Sequence, residues 1–280
     1  MTPTLTYALL PSRALIGLSG PDWRDFLQGL ITQDVEMLAV GEARFGALLT
    51  PQGRLLYDLF VVGREGGCWL DVLAEHRAAV IQRLTMYRLR AKVEIVADQA
   101  PVAILFGDAA PGFAPGAGWT PDPRLRALGW RGYGASPPDG VAASDESVRD
   151  GAKLRLGVPG PADWGSDKTY PIEANFDLLN GIDFRKGCFV GQETTSRMKR
   201  RGQIKSRMLP IAFEGAAPAP GSEVLAGDLR AGEVLSGGEG RAMALLRLDR
   251  AEGASLTVDG RPVSVERPAW FLEALGVEAA

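Results

Sequence analysis

Histidine and cysteine are scarce in this chain. Its 280 residues hold one histidine, His76, and two cysteines, Cys68 and Cys188, which lie far apart. A lone imidazole excludes HExxH zinc sites, polyhistidine metal centres and histidine triads with a spare, unless a second chain contributes. Two distant thiols give neither a disulfide framework nor a CxxC pair, so no metal site is expected. Long hydrophobic runs are also missing. None approaches the roughly 20 residues that span a bilayer, and the sequence does not open on a basic segment followed by a long apolar core. The expectation is a soluble, cytoplasmic protein with no membrane contact. Glycine (35) and proline (19) are too few for a collagen-like or low-complexity chain and enough for many turns. With 46% hydrophobic and 23% charged residues, the chain can bury the cores of two or three compact units. Its chemistry is left to carboxylates, Lys and Arg, the thiols or a bound cofactor.

The pattern of elements predicts an α+β protein. Ala14 to Leu18 reads as a strand. Ser19-Gly20-Pro21-Asp22 then supplies a capping serine and a first-turn proline for a helix carrying Trp23, Phe26, Leu27 and Leu30. Pro51-Gln52-Gly53 separates two strand-like runs, Ala43 to Thr50 and Arg54 to Val62. Cys68 to Leu73 is a further strand, followed by a helix with Val80, Ile81, Leu84 and Tyr87 on one side, and by strands at Lys92 to Ala97 and Val102 to Phe106. Strand pairs alternating with helices suggest a ferredoxin-like unit. Gly107 to Asp145 shows little periodicity and reads as long connections around a short strand at Leu125 to Tyr133. Helices are expected over Ser147 to Leu156 and Pro171 to Asn180. From Leu209 onward, six short apolar strands broken by Gly and Pro argue for a small C-terminal barrel or sandwich.

Charge is uneven. From Arg185 to Arg207 eight cations meet one acid, Glu193, so this segment carries +7 and leaves −10 for the rest of a chain of net −3. Such a strip either focuses an anion locally or is a solvated face. Within it, Gly187 and Gly191 flank Cys188, and Arg185 and Lys186 precede it. Glycines free the backbone to expose a side chain, and nearby cations favour the reactive thiolate. The alternative is a buried cysteine acting as a small hydrophobe.

The octet Lys186-Gly187-Cys188-Phe189-Val190-Gly191-Gln192-Glu193, followed by Ser196-Arg197 and Arg201-Gly202, closely resembles the signature of the YgfZ-type folate-binding proteins, relatives of the glycine-cleavage T-protein. The resemblance extends to Pro171 to Phe184, to Phe26-Leu27-Gln28-Gly29 with Thr32-Gln33-Asp34-Val35, to Leu49 through Arg54, and to Tyr87 through Val93. Phe189 stands where Tyr is common, which puts a hydrogen-bonding role there in doubt, and Thr194-Thr195 replaces a more aliphatic pair. The resemblance implies a T-protein-like ring of three domains with a ferredoxin-like α+β unit and a C-terminal β-barrel. Residues 1–40 and 140–205 would form the folate-binding domain, 41–139 the ferredoxin-like domain and 206–280 the barrel. It also implies tetrahydrofolate or a one-carbon derivative as cofactor, iron–sulfur enzymes or assembly factors as partners, and an indirect effect on tRNA thiolation. Cys188 is the implied reactive or partner-contacting thiol, with Lys186 beside it. Gly187, Gly191, Gln192, Glu193 and Arg197 are implied folate neighbours, and Lys199, Arg200 and Arg201 an anion rim.

A carboxylate can receive the pterin amino group and ring N–H, and cations suit the glutamate tail. Glu173 is the candidate pterin partner, or a helix-end acid held by the dipole. The T-protein's catalytic Asp has no match in Leu73-Ala74-Glu75-His76-Arg77-Ala78-Ala79, with Glu75 or Asp71 imperfect substitutes, which weighs against classical glycine cleavage. The acidic balance and a strip with only Phe184 and Phe189 for stacking disfavour direct tRNA binding. A non-catalytic scaffold stays open.

Overall fold

The computed structural model describes residues 5–109, 113–202 and 204–276. Two mixed α/β layers and a closed barrel make up the fold.

The first sheet is built from β2 (Arg13–Ser19), β3 (Ala43–Leu49), β4 (Leu55–Arg64), β5 (Gly67–Leu73) and β6 (Glu94–Asp98), in the order β3-β4-β5-β2-β6. Helices α1 (Trp23–Gln28) and α2 (Arg77–Arg88) lie between these strands in the chain. The run β2-α1-β4-β5-α2-β6 is the ferredoxin-like connection, with β3 added at one edge. This unit starts at Arg13, ahead of the expected boundary at residue 41, because β2 pairs with both β5 and β6. Strand alternation divides the sheet's two faces. Ile16, Leu18, Leu59, Val61, Cys68, Leu70 and Val72 pack against Leu27 and Leu84 of the two helices. The intervening Leu15, Asp58, Phe60 and Asp71 belong to the opposite face.

That opposite face meets a second sheet of β1 (Leu5–Leu9), β7 (Val102–Gly107), β8 (Trp119–Pro121), β9 (Trp130–Tyr133) and β10 (Ala142–Ser144), in the order β10-β1-β7-β9-β8. Ala8, Leu10, Leu15, Val62, Ile104 and Tyr133 form the core between the sheets. The stretch expected to be mainly connections therefore supplies three strands. Their shortness, three or four residues each, hides any alternation.

Helix α3 (Glu146–Arg155) stands close to where it is expected, and the short α4 (Pro161–Trp164) follows it. No helix covers Pro171 to Asn180. The segment is a series of turns with Asn175 at φ 60° and Asn180 at φ 55°, left-handed conformations that interrupt a helical ladder. Nor does Ser19 cap α1: the cap residue is Asp22, whose carboxylate instead accepts the Lys92 N–H at 2.7 Å.

After α5 (Gln192–Arg201), strands β11 (Ser206–Ala212), β12 (Glu223–Ala226), β13 (Leu229–Gly238), β14 (Arg241–Arg247), β15 (Leu256–Val258) and β16 (Arg261–Val265) close into a barrel in the order β11-β14-β13-β12-β15-β16. Closure removes the sheet edges. In β11, Leu209 and Ile211 point into the barrel, while Met208 joins Phe45, Phe176 and Phe189 in a core that ties barrel to first sheet. Helices α6 (Leu248–Ala251) and α7 (Ala269–Ala274) complete the described chain, and none of its helices is long and apolar enough to cross a membrane.

Candidate functional site: an exposed thiol and a central cavity

Three sequence segments far apart in the chain meet around Cys188. Thr32, fully buried, donates its hydroxyl to Gly181 O at 2.6 Å, accepts the Ala47 N–H at 2.9 Å and, through its carbonyl, the Asp183 N–H at 3.0 Å. Gln33 Nε2 donates to Asn180 O at 2.6 Å, and the Val190 N–H donates to Gly29 O at 3.2 Å. The Thr50–Gly53 turn presses on the same segment. Gly191 has φ 82°, and a Cβ there would lie 2.6 Å from Thr50 O, so side-chain bulk is excluded on two counts.

Within this platform the octet's side chains divide. Lys186 is 8% exposed, and its Nζ donates to Gln28 O at 2.7 Å, Ile31 O at 2.8 Å and Gln33 O at 2.8 Å. Burial pushes its ammonium down to about 8, against the pull of Asp34, Asp183 and Glu36. The lysine expected to activate the thiol is thus a tether between the octet and the loop after α1. Phe189 is buried in the core beneath, its ring 5.3 Å from Lys186 Nζ. Val190 packs against the helical core on the other side. Cys188 faces outward and is exposed, next to Gly187, where an added Cβ meets open space. Cys68 is buried among apolar residues, and burial pushes its thiol up to about 12.

The remaining expected residues do not form one site. Glu173 and Arg197 share a cleft of about 540 Å³ with Tyr170, Thr194, Met198 and Lys205. Glu173 Oε2 accepts the Tyr170 N–H at 2.9 Å, and burial pushes the carboxyl up. Gln192 turns back to accept the Phe189 N–H at 3.3 Å, and Glu193 is exposed on α5. Lys199 reaches Asp177 at 3.5 Å, and exposed Arg200 donates back to Ser196 O. The Arg201 side chain lies outside the described residues. Arg207, part of the basic strip, is buried against Asp177, Asn175 and Ile172 O. With Lys186 also buried, the strip is not one cationic surface.

A second feature lies between the sheets. A cavity of about 410 Å³ is walled by Phe60 and Trp164 and bordered by Arg13, Arg124, Arg131, Arg149 and Lys153. Arg13 bonds Asp71 at 2.6 Å and Asp58 at 2.9 Å, and Arg131 bonds the other Asp71 oxygen. Arg124 holds Asp122 through two nitrogens at 2.9 and 2.7 Å, and the Arg131 guanidinium stacks 3.8 Å over Phe60. Burial favours the neutral form of Asp122, but the charge and hydrogen bonds of Arg124 outweigh it and hold the carboxyl at about 2. Two buried donors, Arg131 Nη1 and Arg149 Nε, have no partner. Burial, with Arg124 and Arg131 nearby, pushes Arg149 down to about 10, and burial with Arg149 alongside pushes Lys153 down to about 8. Asp58, Glu75, Glu146 and Asp150 also line the cavity, and Asp150 pairs with Arg149 at 2.9 Å and Lys153 at 3.6 Å, so its open donors are the two unpartnered nitrogens and not a surplus of cations. Of the two substitutes for a catalytic Asp, Asp71 is fully buried with both oxygens engaged, and Glu75 is exposed at the cavity mouth. No group of three or more His, Cys, Asp or Glu able to hold a metal occurs among the described residues.

Comparison with known proteins gives the family and the fold. The chain is 31% identical to the mitochondrial iron–sulfur cluster assembly factor IBA57 of Mus musculus, over 87% of this chain and 78% of the mouse protein. It belongs to the IBA57 family of iron–sulfur cluster assembly factors. An IBA57 homolog of Neurospora crassa is 35% identical over 75% of this chain. The chain spans a little over half the length of that relative, 54%. Residues 205–273 match the family described as the CAF17 C-terminal β-barrel domain. Among solved structures, the glycine cleavage system aminomethyltransferase T from Bartonella henselae superposes with a TM-score of 0.76, covering 96% of this chain and 86% of that one at 17% identity. That likeness shows the fold, and the T-protein-like architecture with a terminal barrel is as expected. The cytoplasmic expectation is corrected: the IBA57 relatives are named as mitochondrial, which points to mitochondria instead.

Proposed function

We propose that this chain assists the assembly or repair of iron–sulfur enzymes by presenting Cys188 to a partner, and holds a tetrahydrofolate-type ligand in the central cavity. The observation that carries the reading is the outward thiol on a platform whose flanking Lys186 and Phe189 are anchored inward. Three segments and a buried lysine hold a position whose only exposed reactive group is sulfur. The names of the IBA57 relatives support the iron–sulfur role. Any effect on tRNA thiolation is then indirect, since the basic strip offers no continuous track for phosphates.

The cavity fits a folate in character. Its volume lies in the range of small-molecule sites, Phe60 and Trp164 are among its lining residues, and the unpartnered donors of Arg131 and Arg149 suit a carboxylate tail. A bound reduced folate would supply a carrier for one-carbon units. The chain's own part is to border the ring system with Phe60 and Trp164 and to neutralise the tail. Glu173 and Arg197, in their separate cleft, remain the second place for such a ligand.

The test has two arms. Cells lacking this protein and supplied with Cys188→Ala should fail to mature an iron–sulfur enzyme such as a tRNA methylthiolating one, and the purified variant should melt like the parent. Tetrahydrofolate, protected from oxygen, should raise the melting temperature by mass action, and Arg149→Gln should lessen that rise more than Glu173→Gln does. Maturation supported by Cys188→Ala refutes the thiol's role, and an unmoved melting temperature at saturating ligand refutes the folate.

A further inference from the structure

From Arg77 to Val93 the chain carries five cations, Arg77, Arg83, Arg88, Arg90 and Lys92, and no acid. Among the described residues, none of the five pairs with a carboxylate. The segment ends α2 and reverses direction in a turn closed by the Ala91 N–H donating to Arg88 O at 2.7 Å. Leu89 sits inside that turn at φ 43°, ψ −104°. Glycine takes such a conformation freely, whereas a leucine there is strained. Its side chain is 87% exposed, and the neighbouring Met86 is 62% exposed. Folding alone gives no reason to hold a leucine in water on a strained backbone.

The turn is fixed relative to Cys188 by α1. Asp22, at the helix start, accepts the Lys92 N–H at 2.7 Å, and Gln28, at its end, accepts Lys186 Nζ at 2.7 Å. A helix of six residues spans roughly 9 Å. Turn and octet therefore flank one short helix, above a core that both enter through Val93 and Val190.

We propose that the turn Met86–Lys92 docks a protein partner whose surface offers carboxylates around an apolar recess. Leu89 and Met86 fill the recess, while Arg88, Arg90 and Lys92 meet the carboxylates. This inference rests on the reading of the chain as an assembly factor that offers Cys188, and it names the partner's chemistry. Two exposed apolar side chains are too few to hold a bilayer surface, which takes a whole apolar helix face. Single-stranded nucleic acid asks for aromatic platforms, and here only Tyr87 is at hand.

The experiment uses the full chain and the apo form of the iron–sulfur enzyme whose maturation is followed. A carbodiimide joins the Lys92 ε-amine to a partner carboxylate, forming an amide while the departing oxygen leaves on the reagent as a urea. The expected cross-link joins Lys92 to an Asp or Glu of the client and is lost in Lys92→Arg, which keeps the charge. Reversing Arg88, Arg90 and Lys92 to Glu should lower client maturation at least tenfold and leave the Cys188 alkylation rate unchanged. Leu89→Gly should melt at the same or a higher temperature yet mature the client several-fold more slowly, and this variant decides the matter if the triple one does not fold. A wild-type maturation rate in these variants, while Cys188→Ala abolishes maturation, overturns the docking inference alone. So does loss of binding to phosphatidylglycerol vesicles or to tRNA with maturation intact. A normal rate in Cys188→Ala overturns the assembly-factor reading instead, and the cross-link still judges the turn.

Discussion

Replacing Lys186 with Met separates a structural tether from an activator of the thiol. The substitution keeps the stem and removes three hydrogen bonds, to Gln28 O, Ile31 O and Gln33 O. The bond to Ile31 O is buried, so losing its donor leaves an unpaired carbonyl at a cost of about 1–3 kcal/mol. The other two carbonyls are partly buried and can recruit water, so each adds up to about 1 kcal/mol. Relief from burying a charge offsets part of this, since the ammonium is already pushed down to about 8. The net expectation is about 2–4 kcal/mol, a drop of roughly 5–15 °C in the melting of a unit of 150–250 residues. A chain of several packed layers need not unfold in one step, so hydrogen exchange gives the sharper assay. The amides of residues 28–34 and 186–191 should lose protection while those of the barrel keep theirs. Iodoacetamide should modify Cys188 at the parental rate or faster. An unchanged melt with protected loops, together with slower alkylation of Cys188, would mean that Lys186 acts on the sulfur and that the tether is an incidental contact.

Two further outcomes follow from burial. Iodoacetamide near neutral pH should alkylate exposed Cys188 well before Cys68, whose thiol burial pushes to about 12; Cys188→Ala should shift stability by no more than about 0.5 kcal/mol, as for a surface site, and a loss of several kcal/mol would place the thiol in a core. Asp122 is held at about 2, below its unfolded value of 3.8, so its contribution is complete above about pH 4 and is lost as pH falls through 2. Near-ultraviolet circular dichroism should therefore show the packing between the sheets failing over that window, and a window unaltered in Asp122→Asn would show that another carboxylate governs it.

Legibility in the sequence tracked the length of each repeating pattern. Strands β4, β5 and β14 have seven to ten residues, enough for alternation to show, and the hairpin between β3 and β4 is marked by Pro51-Gln52-Gly53. The three-residue strands β8 and β10 carry no such signal and gain their place only by pairing with β9 and β1. The turns over 171–180 look helical in composition. What breaks them is the left-handed backbone of Asn175, whose side chain reaches Met208 O and Arg207, partners that local sequence does not contain.

The two parts of the candidate site differed in legibility for a physical reason. The octet is contiguous, so Cys188 could be singled out from its neighbours, although the neighbours' roles could not. Adjacency in sequence suggested that Lys186 serves the thiol, but the chain bends at Lys186, and the lysine faces the loop after α1. The cavity between the sheets has no contiguous signature. Arg13, Asp58 and Asp71 come from three strands of one sheet, Arg131 from the other sheet, and Arg149 and Lys153 from a helix, each surrounded in sequence by unremarkable residues. Asp71 shows why no spacing rule could have found it. Its two carboxylate oxygens are fixed by Arg13 and Arg131, residues 58 and 60 positions away, and the strand pairing that brings all three together exists only once both sheets are in place. Arg131 then has one nitrogen without a partner, and Arg149 another. A buried cation with a donor to spare is a feature that only assembled layers create, and it is on this feature that the proposed anionic ligand rests.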